Sequence, residues 1–265
     1  MPAGQNTEIR TDIPHSARIW NYWMGGKDNY DIDRQVGDLS KEIDPDIGTM
    51  ATESRKFLIR TVTHLAKDLG LRQFLDIGTG LPTMQNTHQV AQGISADARI
   101  VYVDNDPLVL THARALLTTT SHEGVTSYIE ADFNAPEEIV AQARNILNFT
   151  QPIGVMFMGV LGHATTHEDL LRIVHTVMDA VPAGSTLTYW DGTDDSPTYV
   201  AMCKEYTNSG GAPYHPRTQD QLRTVFDGYE LLDPGFGPIT HWRRSKLELR
   251  GLTEVAAYGG VARKP

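Results

Sequence analysis

The sequence predicts an α/β fold: a mostly parallel sheet with helices on both faces, preceded by an N-terminal helical arm. Three observations carry this. From about residue 52 to 190, short apolar runs alternate with stretches whose apolar residues recur at helical spacing. The strand-like runs are apolar on both faces, as strands buried under two layers of helices are. Successive runs end in Gly, Asp or Glu, and ligands of parallel sheets gather at such carboxyl ends, near the point where strand order reverses. The 265 residues suffice for one large domain, and the expected division is an arm or cap over 1–50 and a main domain over 51–265.

Composition narrows the function classes. Hydrophobic residues make up 40% and charged residues 21%, which permits an ordinary packed core. No run approaches the ~18 apolar residues that a membrane span needs, so no membrane partner is expected. Met1 to Asn6 are polar, so export is not expected and a cytoplasmic location is. The single cysteine, Cys203, fits a reducing compartment and reads as a small buried hydrophobe. The balance of 23 Lys+Arg against 33 Asp+Glu disfavours nucleic acid as a partner.

The elements follow in order. The arm is rich in Asp, Gly and Asn and holds one aromatic block, Ala17-Arg18-Ile19-Trp20-Asn21-Tyr22-Trp23-Met24-Gly25-Gly26-Lys27-Asp28-Asn29-Tyr30, which Gly25-Gly26 breaks. Leu58, Val62, Leu65 and Leu69 mark one face of a helix. Phe74 to Ile77 is the first strand, followed by a polar helix around Asn86 to Gln92. Ile100 to Val103 is the second strand, and Pro107 suits the first position of a helix over Leu108 to Leu117. Val125 to Ile129 is the third strand, and Ile139, Val140, Ala143, Ile146 and Leu147 mark the next helix. Ile153 to Val160 is the fourth strand. Leu170, Leu171, Val174, Val177, Met178 and Val181 give the clearest helical stripe, which Pro182-Ala183-Gly184 stops before a fifth strand, Ser185 to Trp190. A helix near Thr218 to Phe226 and strands near Tyr229 to Leu232 and Val255 to Ala262 complete the chain. Arg243, Arg244, Lys246 and Arg250 form a basic cluster, expected as a solvated loop, with binding of an acidic acceptor as the alternative.

The strand ends carry the chemistry. The first ends in Asp76-Ile77-Gly78-Thr79-Gly80-Leu81-Pro82, where two glycines let backbone approach a ligand. A dinucleotide fingerprint needs a third glycine where Thr83 stands, and Pro82 donates no hydrogen bond to a pyrophosphate. The bland reading is a plain strand-to-helix turn. The second strand ends in Asp104-Asn105-Asp106, where a carboxylate can accept from both hydroxyls of a ribose. Helix capping explains Asp106 but not Asp104. The third ends in Glu130-Ala131-Asp132-Phe133-Asn134. Asn134 suits a cap, which leaves Asp132 to accept from an adenine amine and Phe133 to cover the ring. Three acids at three successive strand ends suit a ligand with an amine, a ribose diol and an adenine but no phosphate, a description that S-adenosylmethionine (SAM) meets.

On these residues the chain resembles class I SAM-dependent methyltransferases. More narrowly, it resembles the SAM-dependent methyltransferase-like family formerly known only as a domain of unknown function. The aromatic N-terminal block, Gln73 to Thr83, Val101 to Pro107 and the tail Tyr258 to Pro265 carry the resemblance, which covers nearly the whole chain. It implies a Rossmann-like sheet of seven strands with the last antiparallel. It also implies that Asp76, Gly78, Thr79 and Gly80 border the methionine part, that Asp104 and Asn105 serve the ribose, and that Asp132 and Phe133 frame the adenine. The superfamily often has a third glycine where this chain has Leu81-Pro82.

Other residues fill in the site. Lys27 or Arg18 could pair with the methionine carboxylate, or the block could simply dock the arm. Gly159, near the end of the fourth strand, is expected to bind the cofactor, and His163 follows that strand on the side expected to face a methyl acceptor. His163 could act as general base, or cap and pack. His167 and His175 are expected at the surface. Tyr189-Trp190-Asp191 could line an acceptor pocket. The histidines show no metal-ligand spacing, so no metal site is expected. The expectation is transfer of a methyl group from SAM to a small molecule. A non-catalytic SAM-binding regulator and a nicotinamide-dependent oxidoreductase are the rivals.

Overall fold

Alternation along each strand decides which face of the sheet a side chain serves. The computed structural model describes residues 9–82, 85–109, 111, 123–244 and 253–265. Its strands are β1 (Gln73–Ile77), β2 (Arg99–Asp104), β3 (Val125–Glu130), β4 (Gly154–Met158), β5 (Thr186–Gly192), β6 (Glu230–Leu231), β7 (Gly237–Pro238) and β8 (Ala257–Arg263). They lie in the order β3-β2-β1-β4-β5-β8-β6, with β7 also paired to β8. β1 to β5 run parallel, and β8 runs antiparallel to β5. The strand order reverses between β1 and β4.

The resemblance implied seven strands and the sheet has eight. The difference lies at the edge, where β6 pairs with Ala262 and Arg263 and β7 with Tyr258 and Gly259. Asp233-Pro234-Gly235 interrupts what would otherwise be one strand, since proline cannot donate to a ladder.

The helices are α1 (Ser16–Trp23), α2 (Asp31–Ile43), α3 (Ile47–Thr63), α4 (Thr87–Ile94), α5 (Pro136–Ala143), α6 (His167–Ala180), α7 (Pro197–Asn208) and α8 (Gln219–Thr224). α3 runs on into a π-helical turn, His64–Asp68. Most of the helix expected over Leu108 to Leu117 lies outside the described residues, as do Lys246 and Arg250. One core packs Leu75, Val101, Val103, Val155, Phe157 and Leu187 against α5, α6 and α8. The other packs Phe74, Ile100, Met156 and Trp190 against α3, α4 and α7. Asp76 and Asp104 share the parity of this second set, so both acids fall on the face that α3 and the N-terminal helices cover.

The arm is helical and built to dock. Arg18 is 3% exposed; it donates to the carbonyls of Arg10 and Ile13 at 2.8 Å each and lies 3.3 Å from the Asp33 carboxylate. Asp33 in turn accepts from the backbone N–H groups of His15 and Tyr30. Asn21 accepts from the N–H of Asp28 and from the Asn29 amide, which fixes the turn after α1. A buried cation with all these partners is a structural clamp.

Candidate functional site

A cleft of about 360 Å³ opens at the carboxyl ends of β1, β2 and β4, between the sheet and α1 and α3. Asp76, Gly78, Thr79, Gly80, Asp104, Asn105, Asp132, Phe133, Gly159 and His163 all line it. Lys27 does not: it is exposed and lies away from the lining. Arg18 is committed to the arm, so neither cation of the aromatic block reaches the cleft.

The cation that does is Arg55, on α3, which sequence reading missed. It lies three residues before Leu58, on the helix face that turns toward the sheet, and with Glu53 and Lys56 beside it no local pattern sets it apart. Burial lowers its pKa, and the charge of Asp76 works against that shift. Among the described residues it makes no hydrogen bond or ion pair. Asp76 is 3% exposed and accepts from Oγ1 of Thr87 at 2.7 Å. Burial pushes its carboxyl up to about 6, against the opposing pull of the Thr87 hydrogen bond and Arg55. Half-buried at an open cleft and without a partner among the described residues, Arg55 is placed to receive a ligand anion.

The glycine loop is shaped by close approach. Gly78 has φ +73°, and a Cβ there would lie 2.3 Å from the Val160 side chain. Its N–H donates to the carbonyl of Val103 at 2.8 Å. Gly159 has φ +76°, and a Cβ there would meet the Trp190 ring at 2.6 Å. Both positions therefore exclude a side chain on steric grounds as well as backbone grounds.

The acids at strands two and three are busier than expected. Asp104 accepts from the N–H of Gly80 at 2.7 Å through Oδ2, and from those of Asn105 and Asp106 through Oδ1. A carboxylate accepts about four hydrogen bonds, so Asp104 keeps part of its capacity while holding the glycine loop against β2. Burial raises its pKa, and these backbone donors oppose the rise. Asp106 caps the following turn, accepting from Leu108 N–H at 2.9 Å, as capping predicts. Its other oxygen lies 3.1 Å from Nδ1 of His15, which also lines the cleft. The turn before α5 is made by Asp132 and not by Asn134. Oδ1 of Asp132 accepts from the Asn134 backbone at 2.8 Å and its amide at 2.9 Å, and Ala135 precedes α5. Asp132 makes the turn itself, and only its second oxygen is unengaged among the described residues. Phe133 lies half-buried against the first core.

Across the cleft, His163 sits on a short 3₁₀ turn, Leu161–His163. Its Nδ1 lies 2.8 Å from the carbonyl of Pro213. A carbonyl only accepts, so Nδ1 carries the proton and Nε2 is left as a base. Burial lowers the pKa of the ring, which keeps it neutral. Arg217 clamps the loop by donating to the carbonyls of Leu161, Ala164 and Thr166. Tyr214 stands edge-on to His163 at 5.1 Å and donates to Asp191 at 2.6 Å. Burial raises Asp191 to about 6. Of Tyr189-Trp190-Asp191, only Trp190 lines the cleft; Tyr189 packs into the first core and Asp191 anchors Tyr214. His175 is at the surface as expected, but His167 is half-buried and its Nε2 lies 3.0 Å from the Thr224 hydroxyl.

Among the described residues no group of three His, Cys, Asp or Glu side chains could hold a metal ion. Among them, too, no helix is long and apolar enough to cross a membrane.

Comparison with known proteins shows the family and the fold. A family model described as S-adenosyl methyltransferase matches residues 2–265. The crystal structure of a DUF574 family protein from Streptomyces avermitilis is 37% identical, with a TM-score of 0.93 over 97% of this chain and 100% of that one. A methyltransferase candidate from Thermobifida fusca is 35% identical, with a TM-score of 0.88 over 96% of this chain and 97% of that one. No curated protein matches.

Proposed function

The chain belongs to the S-adenosyl methyltransferase family, and we propose that it transfers the methyl group of SAM to a small-molecule acceptor. The observation that carries the reading is Arg55, without a hydrogen-bond or ion-pair partner among the described residues, beside the buried Asp76 at the switch point of the sheet. An amino-acid end group needs an anion partner and a cation partner side by side, and these two side chains supply both. Arg55 would hold the carboxylate and Asp76 the ammonium. The remaining capacity of Asp104, with Asn105, would serve the ribose, and Asp132 with Phe133 the adenine. Negative charge at three strand ends repels a pyrophosphate, which weighs against nicotinamide dinucleotides.

When bound, SAM supplies a methyl group already activated on sulfonium sulfur. The protein's work is then to align the acceptor, exclude water and accept a proton. Nε2 of His163 is the basic atom at the acceptor side of the cleft, oriented through Nδ1 by Pro213 and held there by Arg217. A purely regulatory SAM binder has no use for an oriented base, so His163 favours an enzyme.

Calorimetric titration tests the reading. SAM is expected to bind and NADH not to. Binding of NADH in preference to SAM would overturn it.

A further inference from the structure

The N-terminal arm brings a second imidazole to the cleft, that of His15. This residue directly precedes α1, and both of its backbone groups are held. Its N–H donates to the buried Asp33 carboxylate at 3.0 Å, and its carbonyl accepts from Arg18 and Ile19 at 3.1 and 3.0 Å. Its Nδ1 is buried and lies 3.1 Å from Oδ2 of Asp106, and neither atom has another partner among the described residues. A carboxylate oxygen only accepts, so Nδ1 carries its proton toward Asp106. The side chain is 34% exposed. Nδ1 takes no part in that exposure, which leaves the opposite edge of the ring, with Nε2, to face the cleft.

His15 and Asp104 belong to one cluster. Oδ1 of Asp104 accepts from the N–H of Asp106, whose own carboxylate faces His15. The charge of His15 also opposes the burial-driven rise in the Asp104 pKa, so the two groups lie within electrostatic reach. The start of α1 covers the glycine loop here: a Cβ on Gly80 would lie 3.9 Å from that of Ala17. A ribose diol brings two O–H donors to this place. Asp104 already accepts three backbone hydrogen bonds, two at Oδ1 and one at Oδ2, of the four or so that a carboxylate takes. One position, at Oδ2, is left for two hydroxyls, and a sequestered donor without an acceptor is costly. Asn105 is exposed, and among the described residues its side chain makes no hydrogen bond, so its use would mean ordering a free side chain. His15 is ordered already.

We propose that Nε2 of His15 is the second acceptor for the ribose diol of the methyl donor, with Asp106 as the positioning residue that sets its tautomer. The inference rests on the methyl-donor reading above and extends it. Asp104 takes one hydroxyl through Oδ2 and His15 takes the other. The N-terminal arm thereby gains a role beyond docking, because a ligand held between Asp104 and His15 joins the arm to the sheet.

The test compares S-adenosylhomocysteine with its 2′-deoxy and 3′-deoxy analogues by calorimetry, on the full chain and on its His15→Ala variant. In the parent, each missing hydroxyl should cost about tenfold in affinity. His15→Ala should weaken S-adenosylhomocysteine by about tenfold, yet bind one of the two analogues within about twofold of that weakened affinity, while loss of the other hydroxyl still costs it about tenfold. His15→Gln, whose amide reaches to about where Nε2 stands, should recover part of the lost affinity and with it the sensitivity to that hydroxyl. Nitrogen NMR of the parent gives the same answer if His15→Ala does not fold: S-adenosylhomocysteine should shift the His15 Nε2 resonance, and one of the two analogues should fail to. Both hydroxyls costing His15→Ala what they cost the parent, or a His15 Nε2 resonance that no ligand moves, would overturn the assignment. So would the loss of one hydroxyl's contribution in Asn105→Ala instead, which would give that hydroxyl to Asn105. Failure of S-adenosylhomocysteine to bind the parent at all would instead overturn the methyl-donor reading.

Discussion

The two sides of the cleft are made by different means. On the β1–β3 side, each polar group sits at the tip of its own strand, and its place follows from a few neighbouring residues. On the β4–β5 side, His163 takes its orientation from Pro213, fifty positions away, and its support from Arg217 and Tyr214. The donor side is lined by charged side chains; the acceptor side is aromatic. Ligand recognition by strand-end acids can therefore be written locally, whereas a positioned base exists only after the chain has folded.

Substitutions can break this contrast one side at a time. The largest effect is expected for His163→Ala, which should lower methyl transfer by about 10²–10⁴-fold with SAM affinity unchanged. The parent rate should rise with pH and level off below the ordinary imidazole range, because burial lowers the pKa of His163. A flat rate–pH profile would remove the base role while leaving the donor side intact.

The donor side should respond to pH in its affinity. Asp76 stays protonated up to about pH 6 in the free protein. An ammonium group favours the carboxylate, so below that pH binding must release a proton. SAM affinity should then fall by up to about tenfold per pH unit from 6 downwards, measured by calorimetry in buffers of different ionisation enthalpy. Affinity independent of pH between 5 and 7 would place the ammonium elsewhere.

Asp104→Ala should weaken SAM by roughly 1–3 kcal/mol and also lower the stability of the free protein, since three backbone N–H groups lose their acceptor. Denaturant melts with and without SAM separate the two losses. Unchanged stability would mean that the glycine loop needs no such anchor. Tyr214→Phe gives the mirror-image outcome. It leaves the buried Asp191 short of a donor, costing roughly 1–3 kcal/mol of stability with SAM affinity unaltered. A loss of SAM affinity in this variant would show that the two sides are coupled.

A further effect concerns the free protein alone. Asp76 and Asp191 both hold protons to about pH 6 when folded, above the ordinary carboxylate value. Their folded pKa values are raised, so stability from these groups is lost as pH rises from about 4 to 6, in shallow steps on a thermal melt.

Much of the fold could be read in the sequence because apolar runs and helical stripes are strong, local signals. The stripe at Leu170, Val174, Val177 and Met178 and the parallel strands fall where periodicity places them. The edge was harder, since β6 and β7 are two residues each and too short to show alternation. In the site, Asp76 and the glycines were legible as strand-end residues. Arg55 was not, because nothing local separates a helix residue aimed at a ligand from one aimed at solvent. Lys27 shows the complementary case: a charge beside Gly-Gly reads as functional, yet it lies off the cleft lining and Arg18, Asn21 and Asp33 hold that block together without it. Asp132 rather than Asn134 makes the turn, because either side chain can close one.

A titration of parent and Arg55→Ala proteins with SAM and with decarboxylated SAM tests the Arg55–Asp76 grip most directly. The parent should prefer SAM by roughly 1.5–3 kcal/mol, the worth of a hydrogen bond to a charged group, and Arg55→Ala should lose that preference while binding decarboxylated SAM about as well as the parent does. An equal preference for SAM in both proteins would contradict the assignment of Arg55 to the methionine carboxylate.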